Sequence, residues 1–196
     1  MFSATLGVIA LALDAIGFIP YIRDIFLGKT KPERASFWIF SLILAITLAA
    51  QLTEGVSWAA VFSAISLLYG IVLSILSIRY GYGKFKKKDT LSVLIAIAGL
   101  ILWLITDQPL AAVLIVIAVD FAGFWLILVK SWEAPYTETL FSWVMSATAA
   151  VLVIISVGKF DLVQLSYLIY SGAMSWGLVL LLIYRRRVIS KKLGRD

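Results

Sequence analysis

Seven apolar runs, each close to the length that a helix needs to cross a bilayer, occupy almost all of this chain. A membrane helix takes about 20 apolar residues to cover a hydrocarbon core ~30 Å thick. Charges and turn residues cut the sequence into runs near 4–23, 36–53, 57–79, 90–106, 109–130, 139–157 and 162–184. With 62% of 196 residues hydrophobic and 14% charged, a water-soluble domain would have too little polar surface to cover its apolar groups. The expected fold class is therefore an all-α integral membrane protein with seven transmembrane helices. The first run, "MFSATLGVIALALDAIGF", has neither the basic start nor the cleavage site of a signal peptide, so it reads as a span that stays.

The basic residues give the direction of the spans. The first, third and fifth connections and the C-terminal tail hold every Lys and Arg except Lys159. Basic loops mark the cytoplasmic side, which puts the N-terminus outside and the C-terminus inside the cell membrane. A net charge of +6 spread over separate membrane-flanking loops is a topology signal, and nucleic acid is not expected as a partner. The tail "RRRVISKKLGR" and the basic loops are expected to meet anionic lipid.

Absent residue types exclude several chemistries. There is no Cys and no His, so thiolate nucleophiles, disulfides, Ser-His-Asp triads and zinc-hydrolase sites are ruled out. No cofactor, metal or catalytic residue is expected, and the chain does not read as an enzyme. A retinal protein needs a Lys inside the last span, and 162–184 contains none.

The second half of the chain echoes the first. Asp14, Gly17 and Phe18 repeat as Asp120, Gly123 and Phe124. "FWIFS" (37–41) repeats as "SWVMS" (142–146), aligning Trp38 with Trp143 and Ser41 with Ser146. "SLLYGIVLS" (66–74) repeats as "YLIYSGAMS" (167–175), aligning Tyr69 with Tyr170 and Ser74 with Ser175. The offset stays within 101–106 residues. Three spans reverse the side on which a chain emerges and one more restores it. Two three-span units around a single linker span would then run parallel, as in some small transporters. The expected division is 1–80 for the first unit, 81–108 for the linker span, 109–187 for the second unit and 188–196 for a basic tail.

The segment "GFIPYIRDIFLGKTKPERASFW" resembles the signature of the SWEET and PQ-loop superfamily: Pro late in the first span, a basic residue soon after, a Gly/Lys/Thr-rich loop, then Ser before the second span. The 3+1+3 plan and outside N-terminus resemble the same superfamily, most closely its small bacterial members. Tyr21 stands where the signature has Gln, Leu126 stands opposite Pro20, and Ser74, Ser171 and Ser175 occupy the region where sugar carriers place Asn. The resemblance implies a transport role and leaves the substrate open.

A carboxylate in the middle of a membrane helix costs roughly 2.5–3.5 kcal/mol, and this chain places one twice. At about 1.5 Å rise per residue, Asp14 lies roughly 14 Å from Arg23 and Asp120 roughly 15 Å from Lys130, about halfway through the core. Tyr69 and Tyr170 fall at similar depth. Ser63, Ser66, Gly70, Ser74 and Ser77 share one helix face, as do Gln164, Tyr167, Ser171 and Ser175. Facing each other, these groups would line a midplane cavity. Its substrate-binding or proton-coupling residues are then Asp14, Asp120, Tyr69, Tyr170, Ser66, Ser74, Ser171, Ser175 and Gln164. Gly17, Gly123 and Pro20 are candidate gate or hinge positions, because Pro removes a backbone hydrogen bond. The same residues have structural readings: the Asp side chains as hydrogen-bonded pins, the small residues as close-packing devices and the two Trp as an aromatic belt. Two functions fit this pattern. One is an alternating-access carrier for a small polar solute, with or without proton coupling; the other is a non-transporting receptor or sorting protein. Either is compatible with a homo-oligomer.

Overall fold

The structure, a computed structural model, describes residues 2–53, 55–83, 109–157 and 162–193 and a few isolated positions between 87 and 106. Among the described residues there are six α-helices and no strand: α1 (Phe2–Phe26), α2 (Arg34–Thr53), α3 (Trp58–Tyr80), α4 (Pro109–Glu133), α5 (Leu140–Val157) and α6 (Leu162–Leu193). A short 3₁₀ turn, Pro135–Thr137, precedes α5. Most of the expected linker span, together with Glu54, Asp107 and Lys159, lies outside the described residues. The isolated positions Leu94, Ile97, Ala98, Ile101 and Leu102 within it are helical.

Five of these helices (α1, α3, α4, α5 and α6) are long and apolar enough to cross a membrane; the apolar part of α2, Arg34–Ala49, is shorter. Their outward faces carry large apolar side chains such as Ile19, Ile78 and Leu180, each more than 60% exposed. That is the surface of a chain whose solvent is lipid. Helix α1 runs unbroken through Pro20. Helix α6 continues through the basic residues to Leu193, so most of the expected separate tail belongs to the last helix. Arg185 lies over the Trp132 ring and donates to the Trp132 carbonyl, while Arg186 donates to the carbonyls of Pro135 and Glu138. Both guanidinium groups are therefore engaged by the protein's own backbone.

The packing exchanges partners between the two halves. Helix α1 packs against α5, and α4 packs against α2. Within each half α2 packs on α3, and α5 on α6. Small residues let these helices approach closely: Ala10, Ala59 and Ala149 meet in one cluster with Phe62, Val153 and Leu168. A second cluster joins Ile39 and Ile43 of α2 to Val116 and Val119 of α4 and Tyr167 of α6.

The loops at one end are tied together. Gly28, with φ of +71°, turns the chain after α1, a conformation that side chains with a Cβ resist. Glu33 then caps α2 by accepting the Ser36 N–H at 2.9 Å. Across the halves, Lys31 N–H donates to the Thr137 carbonyl at 3.1 Å, and the hydroxyls of Thr30 and Thr139 share a hydrogen bond. Tyr82 N–H reaches Pro32 O at 2.9 Å. This end carries the basic first and third connections.

Candidate functional site

Two interior cavities lie between the helices, and each holds one of the two mid-helix carboxylates. The first, of about 160 Å³, is lined by Asp14, Gly17, Phe18 and Tyr21 of α1, with Tyr69 and Ser66 of α3 and Ser142, Trp143 and Ser146 of α5 among its other walls. The second, of about 140 Å³, is lined by Asp120 and Phe124 of α4, Ser63 and Ser66 of α3, and Tyr167, Ser171 and Ser175 of α6, among others. Phe40, Leu44, Ser66, Trp143 and Ser146 line both cavities. Asp14 and Asp120 therefore line adjoining pockets that have these five residues in common. Both chambers are lined largely by rings and aliphatic groups.

The two carboxylates have different partners. Asp14, 7% exposed, accepts a hydrogen bond from the Ser146 hydroxyl at 2.9 Å. Asp120, 3% exposed, accepts from the Tyr167 hydroxyl at 3.2 Å. The Tyr170 hydroxyl lies beside Asp120, is buried, and makes no hydrogen bond of good geometry. No Lys or Arg is among the described residues lining either cavity. A buried carboxylate is ordinarily paired with a cation, and neither Asp has one among the described residues.

The other sequence candidates divide by location. Tyr69 lines the Asp14 cavity, stacked on Phe18 with ring centroids 3.9 Å apart. Ser171 and Ser175 line the Asp120 cavity, and Ser66 lines both. Ser74 lines neither: its hydroxyl meets that of Ser41 at 3.0 Å, a buried tie between α2 and α3. The side chain of Gln164 lies outside the described set. Gly17 is a close-packing position, where an added Cβ would stand 2.8 Å from the Met145 Cβ and 3.2 Å from the Ser142 carbonyl. Gly123 packs on Ile39 and Phe40, and its carbonyl accepts the Ser36 hydroxyl at 2.7 Å.

Beside the Asp14 cavity, toward the tied loops, lies a charge cluster that the sequence reading did not identify. Lys130 and Glu138 form an ion pair with side chains 1% and 0% exposed. The ammonium also donates to the Lys31 carbonyl at 2.7 Å. Glu138 Oε2 accepts from the Tyr21 hydroxyl at 3.0 Å and from Trp143 Nε1 at 2.8 Å. Both rings line the Asp14 cavity, so the ion pair fixes part of its wall. Trp38, the counterpart of Trp143, is 50% exposed, as an aromatic belt residue would be. The missed signal was the pairing of the lone Lys of the fifth connection with the second of its two Glu residues. Lys130 reads as a topology marker until its burial is known.

The fold and cavities together define a helical, membrane-embedded protein with carboxylate-bearing chambers in its interior. No protein-family model matches the chain, and neither a curated protein nor a solved structure matches it.

Proposed function

We propose that this protein is a carrier for a small polar solute. In this reading it has the 3+1+3 plan of the SWEET-like superfamily, with seven spans, the N-terminus outside and no catalytic chemistry of its own. The observation that carries the proposal is the pair of adjoining cavities, each with a buried carboxylate that has no counter-cation among the described residues. A packing pin does not need an empty chamber beside it, whereas a solute site does. The tied loops and the buried Lys130–Glu138 pair would close the cytoplasmic end in this state.

The test begins with a thermal-shift screen of the purified chain against sugars, vitamins, nucleosides and amines. Uptake of the stabilising compound is then measured in proteoliposomes, with Asp14→Asn and Asp120→Asn compared against the parent. The expected result is uptake that depends on at least one carboxylate while both variants stay monodisperse in detergent. Uptake left unchanged by both substitutions, including its dependence on pH, would show the carboxylates to be structural.

A further inference from the structure

We propose that the Asp14 cavity is a binding site for a small organic ammonium ion. This names the solute class for the carrier reading above and rests on that reading for its physiological use. The inference starts from what faces the carboxylate. Asp14 has the Ser146 hydroxyl as its hydrogen-bond donor, and no basic side chain lines its chamber among the described residues. What surrounds it instead is aromatic: Phe18, Tyr21, Phe37, Phe40, Tyr69 and Trp143. Ring faces attract a cation through their quadrupoles, and quaternary ammonium groups are commonly recognised by such cages. One buried negative charge inside an aromatic box therefore selects a diffuse, weakly hydrated positive charge.

Other ligand classes fit the chamber less well. A hard metal ion seeks six or more oxygen ligands, and the polar lining here is one carboxylate with a few hydroxyls. A sugar needs many paired donors and acceptors. In this chamber the Tyr21 hydroxyl and the Trp143 indole N–H are committed to Glu138, and the Ser146 hydroxyl to Asp14. Ser142 Oγ lacks a partner but is sealed from the cavity; the lining hydroxyls left uncommitted among the described residues are those of Ser66 and Tyr69. A ligand carrying a hydroxyl or N–H beside its cationic centre would pair with one of these two. Size sets the final limit. A cavity near 150 Å³ accommodates about six heavy atoms, the volume of benzene, and this one measures about 160 Å³. The ligand class is thus an ammonium ion of about five to seven heavy atoms, with a short polar arm.

Choline is the probe, and 3,3-dimethylbutan-1-ol, its uncharged isostere, is the control. Isothermal titration calorimetry on the purified full-length chain in detergent should detect choline binding and little or none for the isostere. Asp14→Asn should weaken choline on the order of thirtyfold, as expected when one partner of a desolvated charge pair is lost. Asp120→Asn, which alters the adjoining pocket, should leave choline affinity within about twofold, because Asp120 is not among the residues that line the Asp14 cavity. If Asp14→Asn fails to remain monodisperse, Phe18→Leu serves instead. It removes one ring of the cage and should weaken choline by about three- to tenfold without changing the isostere. Equal binding of choline and its isostere, or choline affinity unaffected by both Asp14→Asn and Phe18→Leu, overturns the proposal. Choline bound but not taken up by proteoliposomes would overturn the carrier reading and support the site. Uptake of a different solute with no choline binding would do the reverse.

Discussion

Removing the ammonium of Lys130 leaves the Glu138 carboxylate in a pocket from which water is excluded. The perturbation is Lys130→Met, which keeps the length of the side chain and deletes its charge. The two side chains are 1% and 0% exposed, so solvent screening does not soften the loss. Glu138 keeps its donors from Tyr21 at 3.0 Å and Trp143 at 2.8 Å, but loses its direct ion-pair partner; the Arg186 guanidinium stays nearby on the Glu138 backbone carbonyl. Breaking one side of a buried ion pair destabilises by about 3–5 kcal/mol. At about 2–4 °C per kcal/mol for chains of this size, the melting temperature in detergent should fall by about 6–20 °C. Glu138→Gln should do comparable damage by leaving the ammonium with backbone carbonyls alone. The double variant Lys130→Met/Glu138→Gln removes both charges, and its Gln oxygen still accepts from Tyr21 and Trp143. It should recover more than half of the larger single loss, which is a coupling of about 4 kcal/mol or more. The assay is a double-mutant cycle of thermal unfolding, followed by intrinsic fluorescence at fixed detergent and lipid. Single losses below about 1 kcal/mol, or losses that simply add in the double variant, would refute the argument that this pair is desolvated and mutually dependent.

Other consequences can be checked by simpler measurements. Gly17→Val should destabilise by about 1–3 kcal/mol, because its Cβ meets Met145 and the Ser142 backbone across the α1–α5 contact; Gly28→Ala, at a φ of +71° in open space, should lose only about 1 kcal/mol. Ser41→Ala should lower stability by about 1 kcal/mol, with no effect on ligand affinity, since its bond to Ser74 lies outside both cavities. Reporter fusions after Asp89 and after Asp196 should both read cytoplasmic; a periplasmic signal from either would defeat the seven-span topology.

Helix content and membrane character were legible because they rest on run length and apolarity, which the sequence displays directly. The two carboxylates were legible for a related reason: a charge in an apolar run must be accommodated inside the protein, and Asp14 and Asp120 are both buried. What the repeat could not show is how equivalent positions divide their work. Ser41 and Ser146 align, yet Ser41 ties α2 to α3 while Ser146 donates to Asp14. Tyr170 aligns with Tyr69, but Tyr167 makes the hydrogen bond to Asp120. A helix face is defined to within a turn by spacing, and one turn decides which hydroxyl reaches a carboxylate. Lys130 was opaque for a different reason. Its burial depends on Glu138, on the carbonyl of Lys31 and on the aromatic caps of another helix, which come together only in the folded chain.

The departures from equivalence bear on how many sites the chain presents. If both units kept their shared residues in identical roles, Asp14 and Asp120 would sit in matching chambers and a ligand would have two equal places to bind. Instead the two pockets are built unequally. Trp143 borders both and is held by Glu138, whereas its counterpart Trp38 faces outward. Glu138 has a buried Lys beside it, whereas Glu33, its counterpart in the first unit, caps α2. On the Asp120 side the hydroxyl donor to the carboxylate is carried on the Tyr167 ring, where Asp14 has the small Ser146, so a cation has less room beside Asp120. Fusing two units in one chain allows such division, because each copy can change without changing the other. Choline titrations should accordingly saturate at about one ligand per chain, with the calorimetric stoichiometry unchanged by Asp120→Asn. A stoichiometry near two, falling to one in either Asp→Asn variant, would show that the chambers are equivalent and that the differences between them are incidental to binding.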